Sequence, residues 1–449
     1  MTPPPTPLLV WLDNDFRLAD NPALIKAARH GPTRLILCVT DTNLPRPRGA
    51  ASRWWRDQSL LAFDESLQPL GQRLYVHSGD AVEGIVRLCR DQGVAAVFCN
   101  AAPDPARAAQ QRLVQASLAV PLHTVEGNVL HAPDAVFKGD GTPFQVFTPF
   151  SKAADALAVS SPLPPPSALP PPPENLAFPD WEAFQPHWAG GMAQVWTPGE
   201  KGAQQRLEDF LNRHLTGYAV QRDYPHEAAT SRLSPYLASG DISARTIYHA
   251  ANALGSGKDR ERFIAELYWR EFSYHLLWHF PDLHRRNWRA SFDRFVWQED
   301  SQALQAWQRG KTGYPIVDAG MRELWHTGWM HNRVRMITAS FLVKHLLLPW
   351  QAGEAWFWDT LVDADAASNP ASWQWVAGSG ADAAPYFRIF NPVLQGQKFD
   401  PQGGYIRRWC PELAGIPLAT LHLPTPAAIV DHTAARARAL AAFEGIKGL

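Results

Sequence analysis

The sequence is poor in the residues and patterns that mark several common protein classes. Only four cysteines occur in 449 residues, Cys38, Cys89, Cys99 and Cys410, and none forms a CxxC pair. That excludes a disulfide framework and argues against a structural zinc or iron–sulfur site. No apolar run reaches the roughly 18 residues needed to cross a bilayer, and no basic-then-apolar leader opens the chain, so a cytoplasmic, non-membrane protein is expected. Neither sign of charge predominates: the formal net charge is −1, and any attraction to phosphate must come from a local basic patch. No GxGxxG or P-loop follows the first β-rich run, and no Ser–His–Asp or metal-ligand spacing stands out among the 16 histidines. Hydrolytic and metal-centred chemistry find little support.

Tryptophan, by contrast, is abundant. Twelve of the 19 fall between Trp269 and Trp375, a density that core packing alone can explain. With 46% hydrophobic and 19% charged residues, the chain reads as globular, and its length calls for two or more domains.

In residues 1–130, short β-rich runs (8–12, 34–40, 73–77, 95–100, 122–125) alternate with stretches of helical periodicity (21–29, 52–67, 81–91, 104–118). That alternation predicts a doubly wound parallel sheet, an α/β Rossmann-like domain covered on both faces. Residues 131–200 read as an interdomain linker, because the run Ser-Pro-Leu-Pro-Pro-Pro-Ser-Ala-Leu-Pro-Pro-Pro-Pro within 160–175 suits only an extended polyproline spacer on the surface. From 201 to 449 the pattern is helical, with helices expected over 204–215, 244–254, 261–280, 302–309, 314–328, 332–347 and 352–361. The fold class is therefore α/β plus a larger all-α domain.

Four segments could carry chemistry. Thr230, Ser231, Arg232, Leu233 and Ser234 precede a helical run, so they either cap a helix or bind an anion at its start. On one helix, Glu266, Trp269 and Arg270 stand at i, i+3 and i+4 and share a face. A carboxylate, an indole and a guanidinium suit the edge, face and phosphate of a nucleotide; the plain alternative is an ion pair beside a core Trp. Asn332 and Met336 are likewise i, i+4 neighbours, either a cap with a packed Met or an amide and a soft apolar group facing one ligand, with Arg333 and Arg335 pointing elsewhere. Asp363 and Asp365, then Asn369 and Trp373-Gln374-Trp375, offer metal ligands (though no further O or N ligands stand near them in sequence), acceptors for ribose hydroxyls and a heterocycle N–H, or a solvated turn with a capping Asp.

Taken in this order, together with Lys311-Thr312-Gly313-Tyr314-Pro315-Ile316-Val317-Asp318-Ala319 and Asp382-Ala383-Ala384-Pro385-Tyr386-Phe387-Arg388-Ile389-Phe390-Asn391-Pro392, these segments resemble the photolyase/cryptochrome flavoprotein family. Arg17-Leu18-Ala19-Asp20-Asn21-Pro22 after the first run adds to the likeness, which is greatest to a bacterial class I-like branch acting on cyclobutane pyrimidine dimers. The resemblance implies FAD in the helical domain, held by Tyr218, residues 230–234, Phe263, Arg335, Asp363, Ala364, Asp365 and Asn369, the last beside flavin N5. It implies UV-damaged DNA as partner, with the dimer flipped out against Glu266, Trp269, Asn332, Met336 and Trp375 and a basic rim of Arg222, Arg270, Arg333 and Arg388. Trp373, Trp350 and Trp297 match an electron relay to the flavin, and a monomer is expected.

The chain also departs from the family. Asp13-Asn14 stands where basic or amide residues are common, and residues 100–107 lack the Asn-Glu pair of folate-binding relatives, so a folate or deazaflavin antenna is an open expectation, with Arg53-Trp54-Trp55 resembling an antenna-pocket segment. Pro370, directly after Asn369, is expected to stiffen the loop at flavin N5, and Ser372 is a further departure. The rival readings are a cryptochrome-type blue-light photoreceptor and a flavin-free DNA-binding scaffold.

Overall fold

The computed structural model describes residues 6–30, 33–40, 44, 46–383 and 387–446; Ala384, Pro385 and Tyr386 of the long C-terminal motif lie outside these. Five strands, β1 Pro7–Leu12, β2 Arg34–Thr40, β3 Leu74–His77, β4 Ala96–Asn100 and β5 Leu122–Val125, pair in parallel in the order β3-β2-β1-β4-β5. Leu9 of β1 lies opposite both Ile36 and Val97. Leu8, Val10 and Leu12 enter one apolar core while Leu9 and Trp11 enter the other, as the two-residue period of a strand requires. Helices α1 Pro22–Ala28, α2 Ala50–Leu67, α3 Ala81–Gln92 and α4 Pro105–Ser117 cover the two faces. Asn21, Asp80 and Asp104 cap α1, α3 and α4 with their side-chain oxygens.

The connection contains two helices the sequence did not announce, α5 Phe147–Asp155 and the short α6 Gly190–Val195. Its proline run is extended but is not a free spacer, which corrects that expectation. The Asp20 N–H donates to Leu163 O (2.8 Å), the Leu35 N–H donates to Pro171 O (3.0 Å), and Leu169 and Leu176 are buried, one in each core of the sheet. Prolines lack N–H groups but keep their carbonyls, so such a segment can strap a sheet while joining no ladder.

The remainder is helical: α7 Glu200–Arg213, α8 Tyr218–Gln221, α9 Ser234–Ser239, α10 Ala244–Asn252 and α11 Lys258–His279. Then follow α12 Ser301–Gln308, α13 Pro315–Thr327, α14 Asn332–Ser340, α15 Trp350–Thr360 and α16 Ser368–Ala377. The described chain closes with α17 Pro392–Phe399, α18 Gly404–Trp409, α19 Leu418–Leu421 and α20 His432–Glu444. The single helix expected over 332–347 is instead α14 followed by a π-helical turn, Phe341–His345, where buried Lys344 donates to Ala377 O at the end of α16 (2.6 Å).

The two halves are joined through buried charge. Arg17 donates to Gly240 O (2.9 Å), Arg245 pairs with Asp20 (2.7 Å), and the Glu200 carboxylate accepts from the N–H groups of Leu18 and Ala19. The Arg17–Pro22 motif is thus the joint between the domains.

Candidate active site

A cavity of about 550 Å³ opens in the helical half, lined from α8, the segment before α9, α11, α14 and α16. Six arginines line it (Arg222, Arg232, Arg262, Arg270, Arg333, Arg335) against three acids (Glu266, Asp363, Asp365). A chain of net charge −1 therefore concentrates positive charge here.

One side is built for a large polar ligand. Thr230, Ser231, Arg232, Leu233 and Ser234 all line the cavity. Their hydroxyls do not cap α9, whose cap is Leu233 with no side-chain bond. Ser234 instead donates to Asp363 Oδ2 (2.6 Å), which also accepts from Arg335 (2.8 Å). Asp363 Oδ1 is buried without a partner, an acceptor waiting for an N–H donor. Asp365 accepts from the Tyr274 hydroxyl (2.5 Å) and holds the N–H groups of Ala367 and Ser368, fixing the start of α16. Tyr218 and Phe263 line the cavity in edge-to-face contact, 5.6 Å between ring centroids. Asn369 also lines it, directing its amide Nδ2 to Glu354 on α15. Pro370 falls in the first turn of α16, where its missing N–H breaks no helical bond, so the expected stiffened loop is a helix start.

The other side holds Glu266, Trp269, Asn332, Met336 and Trp375. Glu266 is ion-paired with Arg222 and, at 3.5 Å, with Arg262. Phe147 of α5 stacks on Trp269 with centroids 3.7 Å apart and planes within 5°, leaving only one indole face for a ligand. His331, not Asn332, caps α14 through Nδ1 (3.2 Å), which frees the Asn332 amide for the cavity. Burial pushes His331 down to about 3, so it remains a neutral acceptor. Trp375 donates to Asp382 O (3.1 Å), which fixes its ring.

Several expectations are corrected. Arg333 and Arg335 also line the cavity, Arg333 Nη1 lying 3.6 Å from the Met336 sulfur. Arg270 is not on an outer rim: its side chain is 13% exposed and donates to Glu271 and to Asn128 O. Arg222, 8% exposed, orients Glu266. Ala364 is not in the lining and packs into the neighbouring apolar cluster. Arg388 is exposed outside the lining. Trp373 lines the cavity and shares one cluster with Trp350, with Trp297 packed against it. Tyr274, Phe147, Arg262 and Glu354 escaped sequence reading; only Arg262, at i−4 from Glu266, had a signal there.

At the β1/β4 switch point, where open α/β sheets bind ligands, the chain's own charges meet. Arg107 pairs with Asp13, Arg48 donates to Asn14 (2.7 Å), and Asn100 donates to Asp15 (2.6 Å). Burial pushes Asp15 up to about 7.

The sequence model for the FAD binding domain of DNA photolyase matches residues 263–445, and that for DNA photolyase matches 8–172. A deoxyribodipyrimidine photo-lyase of Agrobacterium fabrum is 44% identical, covering 98% of each chain. A bacterial class III photolyase from Agrobacterium tumefaciens has a crystal structure that matches with a TM-score of 0.94 at 43% identity, covering 100% of this chain and 99% of that one. Cryptochrome-2 of Arabidopsis thaliana is 36% identical over 93% of this chain and 72% of its own. A parallel-sheet domain joined to a helical domain around this cavity defines a photolyase/cryptochrome-fold flavoprotein with FAD as its cofactor. The chain belongs to the DNA photolyase family. The class named for the crystallographic neighbour is III, where the motifs had pointed to a class I-like branch.

Proposed function

We propose that this chain is a deoxyribodipyrimidine photo-lyase, which uses blue light to split cyclobutane pyrimidine dimers in DNA. The observation that carries this reading is one cavity with two kinds of wall. Asp363, Asp365, Asn369, Tyr218, Phe263, Arg335 and residues 230–234 form the flavin side; Glu266, Trp269, Asn332, Met336 and Trp375 form the lesion side.

When bound, reduced FAD supplies an electron on illumination. Asp363 Oδ1 would receive a ring N–H of the flavin, and Arg270, Arg232 and the hydroxyls of 230–234 would hold its phosphates and ribityl chain. Trp269 and Trp375 would clasp the extruded lesion between apolar faces while Asn332 and Glu266 hydrogen-bond the base edges. Met336 excludes water. Cleavage breaks two carbon–carbon bonds and returns the borrowed electron, so no side chain has to give up a proton. That requirement fits a wall whose polar members are an amide and a carboxylate. Arg333 and Arg388 would meet the flanking phosphates, and Trp297, Trp350 and Trp373 would pass an electron inward when oxidised FAD is photoreduced. The reading takes the protein as a monomer, acting in the cytoplasm where its DNA lies.

A photoreceptor reading rests on the plant relative. The two readings part in one assay: illuminate the chemically reduced protein with dimer-containing oligothymidine and follow the thymine absorbance. Recovery of that absorbance is expected; none would leave the photoreceptor reading in its place.

A further inference from the structure

Asn369 is held from behind by residues that the flavin cavity does not include. Its Nδ2 donates to Glu354 Oε1 (2.8 Å) and to Glu354 O (3.1 Å). With the amide donor engaged there, Oδ1 is the end left to face the cavity that Asn369 lines. Glu354, 2% exposed, is in turn gripped by the two terminal guanidinium nitrogens of Arg46, Nη1 and Nη2, at 2.8 and 2.6 Å. Arg46 follows β2 in the sheet domain, 308 positions away, and its guanidinium lies 4.0 Å over the Trp358 ring. Burial pushes the Glu354 carboxyl up, and the Arg46 fork pulls it back toward the ionised form.

Without that fork the buried carboxyl takes a proton, so Nδ2 loses its charged acceptor and keeps only neutral ones, while the new O–H can donate to the amide oxygen. The amide is then held less firmly in the orientation that turns Oδ1 to the cavity, and NH₂ is presented there more often. The difference matters because reduced flavin carries an N5–H donor, whereas oxidised flavin has a bare N5 acceptor. An amide oxygen favours the first and an amide NH₂ the second. We propose that Arg46 is a positioning residue which, acting through Glu354, keeps the Asn369 oxygen toward flavin N5 and so favours the reduced cofactor. This rests on the flavin reading given above.

The test poises the holoenzyme against a redox dye and reads the ratio of reduced to oxidised flavin. In Arg46→Leu that ratio falls about fivefold, the worth of one hydrogen bond of roughly 1 kcal/mol. Arg46→Lys, which keeps the charge without the fork, gives a smaller fall and carries the test if the Leu variant does not fold. In an Asn369→Ala background neither substitution changes the ratio further. Infrared spectra of the Arg46→Leu protein at neutral pH gain a protonated-carboxyl band that Glu354→Gln removes. An unchanged ratio, or an equal fall in both backgrounds, overturns the proposal while leaving the flavin reading intact. A purified protein that binds no flavin overturns both.

Discussion

Glu266 meets two demands at once: it faces the lesion wall, and its charge is balanced by Arg222 and Arg262. Truncating it removes a hydrogen bond from a charged acceptor and leaves Arg222 unpaired in a mostly buried setting. Glu266→Ala should therefore keep its flavin but slow light-driven repair by roughly 10–100-fold, measured as dimer turnover by the pre-reduced enzyme. That Glu266, Trp269 and Arg270 converge was legible in the sequence, because three residues on one helix at i, i+3 and i+4 have no freedom to diverge. The role of Arg270 was not. Whether a guanidinium at that spacing turns outward or inward depends on Glu271 and Asn128, and Asn128 lies 142 positions away. Glu354 was hidden for the same reason, since its partners Asn369 and Arg46 sit on different elements.

At the level of elements, all five strands and most of the long helices follow from hydrophobic period, with ends shifted by a few residues. Two of the expected elements behaved differently. The helix expected over 332–347 changes to π geometry at Phe341, and periodicity averaged over several turns cannot register one added residue. The proline run was legible as extended but not as packed, because composition sets a backbone's conformation without saying what it lies against. Leu169, buried in the sheet core, distinguishes a strap from a spacer. Leu169→Ala should lower stability by about 2–4 kcal/mol in urea unfolding while leaving flavin absorption unchanged. A loose linker would tolerate the change at no measurable cost.

At the scale of the whole molecule, the joint between the domains titrates. Asp241 accepts from Trp55 and Ser59 of α2 and from the Gly199 N–H, and burial pushes it up to about 6 from 3.8. A carboxyl raised on folding binds its proton more tightly in the native state than in the unfolded chain. Its contribution is complete below about pH 4 and is lost as pH rises through 6. The stability of the wild type relative to Asp241→Asn should therefore fall by on the order of 2–3 kcal/mol between pH 4 and 7, read from paired unfolding curves. Taking the difference cancels groups common to both proteins, such as His331, whose lowered value acts in the opposite sense.

The arginines that line the cavity have one more consequence. All but the half-exposed Arg262 are largely buried, in a protein whose total charge is almost nil. On the proposed reading, a strand that merely slides past meets the exposed Arg388 and the half-exposed Arg262 but not the deeper guanidinium groups. A nucleotide that swings inward brings its phosphates closer to the buried guanidinium groups than a stacked one does. If the proposed reading holds, depth becomes a means of selection: intact duplex, whose stacked bases resist leaving the helix, would be released, and a distorted step that already yields would be kept.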